Sequence, residues 1–279
     1  MSISFAVQGE RPVRLRPCRR ASVRGASGTL VEMSSWPAIA AANNAEWCDA
    51  VCRTHGINAE RDGHAWSSPT RTPPLYPDAV TLVADASASE LLARIDASPG
   101  CSVKDSFASL DLTGYGFRVL FEAQWIVRSP SEMRAASART RWTIVRDVET
   151  FRAWEDAWRG PDGPAGVLRA DLLRMKTVTL LAEQMNDRIV GGAVLNHGTK
   201  AVGISNFFSE DSTISGSWQG CLALANAVSP GATLVGYESG DALDVARRHA
   251  FKVVGPLRVW LRDGGGAAAR ANTRRLLRS

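Results

Sequence analysis

The sequence predicts a mixed α/β protein, with antiparallel strands and helices built around one mixed sheet. Three observations predict it. Alternating apolar and polar runs separated by turn residues fill 177–208, the pattern of an antiparallel meander. At Trp218 the apolar period changes to three or four, through Cys221, Leu222, Ala225 and Val228, which is helical. Two further extended runs, at 233–237 and 253–261, then bracket another helical stretch.

Taken in order, Trp142 and Ile144 mark a short strand, and Asp147 caps a helix carrying Val148, Phe151, Trp154 and Trp158 at helical spacing. The glycine- and proline-rich stretch 160–166 breaks it, and a second short helix is expected at 167–174 with Leu168, Leu172 and Leu173 on one face. Strands follow at 177–183, 189–196 and 201–208, with turns at Asn186-Asp187 and Gly198. Ser215 or Ser217 caps the next helix, which Pro230-Gly231 stops. After the strand at 233–237, Asp241 is the expected cap of a helix carrying Ala242, Leu243, Ala246 and Ala250. Arg247, Arg248 and His249 lie in its last turn, where they suit the helix dipole.

Upstream, 43–52 reads as a helix with Trp47, Cys48 and Val51 facing inward, and the proline-rich 66–82 as an extended pair with irregular entry. A helix at 88–96, stopped by Pro99-Gly100, and strands at 101–107 and 117–127 complete this region. Polar, small residues at 129–140 form a linker. The expected organisation is a basic disordered tail over 1–33, a first region over 34–128, a second over 141–263 and a basic tail over 264–279. Recognisable patterning begins only at Trp36, which makes Met33 a candidate start.

Composition bounds the function classes. With 45% apolar and 22% charged residues the chain is an ordinary globular protein. No run approaches the roughly 18 apolar residues of a membrane helix, so no membrane partner is expected. The Arg-rich start lacks the apolar core of a secretory signal, and the cytoplasm is the expected location. Residues 1–30 hold six arginines and one glutamate, and 264–279 hold four arginines; these exceed the net charge of +5, so the body is acidic. An acidic body argues against a phosphate-binding surface, and nucleic acid is not an expected partner except through the tails. The five cysteines show no metal-ligand spacing; Cys48 and Cys52, one helical turn apart, read as buried thiols.

The element order of 141–263, with RIVGGAVL at 188–195 and ALDVARRHAFKVVG at 242–255, resembles the GNAT N-acetyltransferase superfamily. Topology and hydrophobic pattern carry the likeness. It implies a GNAT-like acyl-CoA N-acyltransferase fold in which the strands at 201–208 and 233–237 splay apart to admit acetyl-CoA as co-substrate. The pantetheine arm would pair with the main chain of Ser205, Asn206 and Phe207. The pyrophosphate would rest on the next helix start, at Ser215, Gly216 and Ser217, where free amides and the dipole favour anions. The family's usual pyrophosphate loop is reduced here to Gly216, and Glu210 and Asp211 would repel phosphate if they pointed inward; an ordinary helix cap is the alternative.

The family often places a tyrosine five residues before the phenylalanine that follows its last helix; that position is Ala246. Tyr237 is the substitute acid the resemblance leaves, unless it only packs. Glu238 is the first candidate for the base that deprotonates the amine, Glu183 the second and His197 the third, and each has a plain reading as a solvated or structural group. The segment 103–128 also parallels 235–262: strand, short helical segment, phenylalanine, then a closing strand with Trp125 or Trp260. This implies a tandem arrangement with a shortened, degenerate first lobe over 34–128, the alternative being coincidence between two strand-helix-strand units. The expected function is acetyl transfer to an amine of a small molecule or protein. A non-catalytic CoA- or metabolite-binding module and a partner-binding protein working through its basic tails are the competing readings.

Overall fold

The computed structural model describes residues 27–130, 141–210 and 215–263. The tail at 264–279 and most of the linker at 129–140 lie outside them. Helix α1 (Ser27–Thr54) is much longer than the expected 43–52 and reaches back into the segment read as a tail.

Among the described residues eleven strands form one sheet. The first five are β1 (Glu60–Arg61), β2 (Ala65–Ser67), β3 (Ala79–Thr81), β4 (Ser102–Asp105) and β5 (Phe117–Arg128). Then come β6 (Arg141–Ile144), β7 (Val178–Met185), β8 (Arg188–His197), β9 (Val202–Ser209), β10 (Leu234–Glu238) and β11 (Lys252–Arg262). The spatial order is β1-β2-β3-β4-β11-β5-β10-β9-β8-β7-β6. Pairing is antiparallel except for β3 with β4 and β9 with β10. Two long strands cross over at the centre: β5 inserts between β10 and β11, and β11 between β4 and β5. The two regions distinct in the sequence thus share one continuous sheet.

Helices α3 (Val148–Arg159), α4 (Ser215–Val228) and α5 (Gly240–Arg248) fall within the second region, in the expected order, and α2 (Ala88–Leu92) within the first. Strand alternation divides the core between two faces. On one, α1 and α3 pack Trp47, Val51, Phe151 and Trp154 against Trp125, Leu180, Val194 and Val235. On the other, α4 and α5 pack Trp218, Leu222, Leu243 and Ala246 against Ile126, Leu181, Leu195 and Ile204. Burial of each large side chain contributes about 1.5–3 kcal/mol. A third cluster, with Leu91, Cys101, Leu112, Phe117 and Trp260, lies beside α2.

Local chemistry explains the turns. Asp147 caps α3 by accepting from the Thr150 N–H at 2.8 Å. Asn186 and Asp187 both hold positive φ, at 50° and 61°, the backbone a two-residue hairpin requires and these residue types tolerate. Three expectations change. The helix at 167–174 is a 3₁₀ turn over Ala170–Arg174, because Arg169 and Met175 are extended on either side and leave too few residues for an α-helix. Helix α2 ends at Leu92, not at Asp96. Helix α5 is capped by Ser239, not Asp241: Gly240 turns the chain with φ 52°, and Asp241 falls in the first turn. Cys48, Cys52, Cys101 and Cys221 are buried free thiols, and burial pushes the Cys48 thiol up to about 11.

Candidate active site

Strands β9 and β10 pair over a short stretch and then part. The Val202 N–H donates to the Thr233 carbonyl at 2.9 Å, and the register runs Leu234↔Val202 and Val235↔Gly203. There it stops. On its other edge β10 stays paired with β5 through Glu238↔Gln124, so β9 is the strand that turns away.

The cause lies in β9. Val194 pairs with Ser205 and Gly192 with Phe208, so Asn206 and Phe207 together oppose one residue of β8. This bulge bends the strand and increases its twist. Asn206 holds φ 53°, a region that asparagine tolerates better than other non-glycine residues. Its side chain is fixed from the α1 side: the Trp47 indole donates to Oδ1 at 3.0 Å, and Nδ2 donates to the Tyr76 hydroxyl at 3.4 Å.

Alternation from Val202 turns the main-chain groups of Ile204 toward β10 and those of Ser205 toward β8, and the bulge with the positive φ of Asn206 interrupts it there. Of the three residues expected to bind pantetheine, Ser205 is engaged by β8, and Asn206 lies in the bulge where the β9–β10 pairing has ended. Phe207 contributes a ring stacked on Trp218, with centroids 4.4 Å apart.

Helix α4 starts at Ser215, beside the end of β9. Ser217 is buried, and its hydroxyl bonds that of Ser209 at 2.8 Å, tying the first turn to the end of β9. Gly216 is exposed, and among the described residues a Cβ there would meet nothing within 4 Å. Glu210 is turned away, its carboxylate held by both Arg188 guanidinium nitrogens at 3.0 and 2.7 Å. Asp211 lies outside the described residues.

Glu238 ends β10 at the mouth of the opening. Desolvation raises its carboxyl to about 7, and among the described residues no side chain hydrogen-bonds or ion-pairs with it. Tyr237, its neighbour, points to the opposite face of the strand, edge-on to Trp125 at 5.6 Å with the Lys104 ammonium 4.3 Å above its ring. These two residues flank the opening from its two sides.

The other acid–base candidates lie elsewhere. Glu183 is buried in β7 beneath α4, separated from β10 by β9 and β8; it sits against Gly191, where a Cβ would come 2.5 Å from its Oε2. His197 lies at the closed end, in the β8–β9 hairpin, with Nε2 bonded to Thr179 Oγ1 at 2.9 Å and Nδ1 to Ser229 Oγ at 3.3 Å. Desolvation lowers its pKa. Ala246 is fully buried among the residues under α5, so that helix offers no acid at this position.

Sequence reasoning missed Trp47, Tyr76 and Lys104, which reach this cleft from the first region. Lys104 carried the one available signal: a lysine among the inward-facing positions of a strand. Asn43 was missed too. It docks α1 on the β8–β9 hairpin by donating to the Asn196 and Ala201 carbonyls, both at 3.1 Å, and accepting Asn196 Nδ2 at its own carbonyl.

A mixed sheet whose β9–β10 parallel pair ends early, with a bulge in β9 and a helix start beside the end of that strand, has the layout of a GNAT-type acyltransferase fold. The chain is similar to these solved structures. A GCN5-related N-acetyltransferase from Kribbella flavida superposes with a TM-score of 0.54 at 13% identity, covering 83% of this chain and 98% of its own. A conserved protein of unknown function from Staphylococcus epidermidis gives 0.51 at 11% identity, covering 75% and 95%. A putative GNAT-family acetyltransferase from Novosphingobium aromaticivorans gives 0.47 at 10%, covering 78% and 96%. No family model matches the sequence, and no curated protein is similar to it. Among the described residues no helix is long and apolar enough to cross a membrane.

Proposed function

We propose that the chain is an acyl-CoA-dependent N-acetyltransferase that transfers an acetyl group from acetyl-CoA to an amine of a small molecule or protein. The observation that carries this reading is the end of the β9–β10 pairing at Val235↔Gly203, just before the bulge at Asn206 and Phe207. Beside the end of β9 lies the exposed helix start at Gly216, where amides and dipole favour a pyrophosphate.

In this reading Glu238 takes the proton from the acceptor ammonium. A carboxyl with a pKa of about 7 is matched to that work near neutral pH. As the new C–N bond forms and the thioester C–S bond breaks, Tyr237 donates a proton to the departing sulfur and regains one from the acylated nitrogen, or the thiolate leaves unprotonated, its reference pKa being about 8.5, and that nitrogen gives its proton to solvent. The exposed start of α4 at Gly216 holds phosphate, and the bulge at Asn206 aligns the pantetheine arm.

The first region is read as a shortened second lobe of the same design. Strand β3 runs parallel to β4 (Ala79↔Val103, Val80↔Lys104) as β9 does to β10, and each half sends its last strand into the other. Its own gap is closed: the Ser106 N–H donates to Thr81 Oγ1 at 2.8 Å. Ligand is therefore assigned to the C-terminal opening alone.

The test is thermal unfolding with and without acetyl-CoA, because a ligand bound only by the folded state raises Tm. No rise, or a rise unaffected by Gly216→Glu, removes the reading. A second reading, a CoA-binding module without catalysis, is motivated by the buried Ala246 in place of the family's acid. Acyl transfer that is lost in Glu238→Gln would exclude it.

A further inference from the structure

Lys104 is anomalous. Its residue is 5% exposed, yet none of the ion pairs among the described residues includes it. Its ammonium donates to Asn44 Oδ1 at 2.8 Å and lies over the Tyr237 ring, and both partners are neutral. Taking a cation out of water is costly unless an opposite charge or a full set of hydrogen bonds replaces the solvent. An ammonium has three donors, and one amide oxygen with one ring face leaves it under-satisfied.

The position matters as much as the burial. Lys104 lies on β4, in the first region, but its side chain runs beneath α1 to reach Tyr237, the residue that borders the acyl-CoA opening on that face. Trp125 packs edge-on to Tyr237, and Trp47 packs on Tyr76 with centroids 6.1 Å apart. Tyr76 and Trp47 in turn hold Asn206. A single positive charge therefore sits at the inner end of an aromatic, otherwise uncharged wall. Ser106, just past the end of β4, adds a buried hydroxyl with no partner.

We infer that the acceptor amine carries a carboxylate and that Lys104 binds it. This rests on the acyltransferase reading above and names its substrate class: an amino acid rather than a simple amine. The carboxylate would sit at Lys104 on the α1 face, beside Tyr237 near the end of β10. One ammonium without a second cation matches a singly charged carboxylate, and the surrounding rings match an apolar side chain.

The experiment is thermal unfolding of the full chain saturated with desulfo-CoA. The common α-amino acids are compared one by one with their decarboxylated amines, in wild type, Lys104→Met and Lys104→Arg. At least one amino acid is expected to raise Tm where its amine does not, with the rise lost in Lys104→Met and partly kept in Lys104→Arg. Without ligand, Lys104→Met is expected to melt no lower than wild type, since it removes an uncompensated charge. The inference is overturned if no amino acid outperforms its amine, or if Lys104→Met keeps the discrimination. It is overturned too if unliganded Lys104→Met melts well below wild type, which marks a structural lysine. Failure of desulfo-CoA itself to stabilise the protein strikes the acyltransferase reading instead, and the two failures are thereby distinct.

Discussion

The Trp47 indole donates to the Asn206 carboxamide across 159 positions of sequence, at 3.0 Å. One residue sits on the helix that opens the described chain, the other on the bulge from which β9 leaves β10. The opening is therefore held by both regions, and its geometry depends on α1 staying docked.

That dependence makes Asn206 a sensitive position. Asn206→Ala keeps a positive φ with a residue that dislikes it and removes both side-chain bonds, so a loss of about 1–3 kcal/mol is expected. Asn206→Gly relieves the backbone and loses only the bonds. Chemical denaturation should rank wild type above Asn206→Gly above Asn206→Ala. Both variants should show a smaller acetyl-CoA-induced rise in Tm.

Glu238 predicts a pH dependence with a definite sign. Burial raises its carboxyl from 4.5 to about 7, so the neutral form is the one the fold favours. The stability this provides is complete below about 4.5, where the unfolded chain is neutral too, and is lost as pH rises through about 7. Glu238→Gln should therefore leave Tm unchanged at pH 4 and raise it at pH 8. Its activity should move the other way, falling about 10²-fold or more, while wild-type kcat/KM climbs with pH to a plateau above about 7. Equal rates in variant and wild type would remove Glu238 as the base.

Gly192 reports on the packing of α3. A Cβ there would collide with the Trp154 indole nitrogen and come 2.8 Å from the Leu181 carbonyl, which accepts that same indole N–H at 2.8 Å. The carbonyl belongs to β7, which is paired on both edges, and cannot move aside. Gly192→Ala should cost about 1–3 kcal/mol and lower Tm by several degrees. Gly216→Ala, with open space around it, should leave Tm nearly unchanged.

The second region was legible because its signals are local. Period changes at Trp218, turn pairs such as Asn186-Asp187 and breakers such as Pro230-Gly231 are read within a few residues, and the expected order of elements from Trp142 to Leu261 is the observed one. The resemblance between 103–128 and 235–262 also fell on strands that occupy matching places in the sheet, β4 with β5 and β10 with β11. What escaped was long-range. Nothing near Trp47, Tyr76 or Lys104 indicates that they meet Asn206 and Tyr237, because the exchange of β5 and β11 that brings them together leaves no local trace. The same holds for Asn43, whose bonds to Asn196 and Ala201 replace strand pairing with side-chain docking. Glu183 misled for the opposite reason: an acid in an alternating strand looks available, and only the sheet shows that α4 covers it.

Ala246 explains why the expected acid of the last helix is absent, and it yields a final prediction. Its side chain lies in the cluster with Trp218, Leu243 and Phe251, and its carbonyl accepts the Phe251 N–H at 3.1 Å as the chain leaves α5. A phenol at this position would have to displace that packing before it reached the opening. Ala246→Tyr should therefore lower stability by about 1–3 kcal/mol or more through overpacking, with no gain in the rate of acyl transfer. If the variant instead folds with wild-type Tm and transfers acetyl groups faster, α5 must be rotated from the phase described, and the phenol must reach the departing sulfur after all. Thermal unfolding together with thiol release from acetyl-CoA, measured on the same preparation, separates the two outcomes.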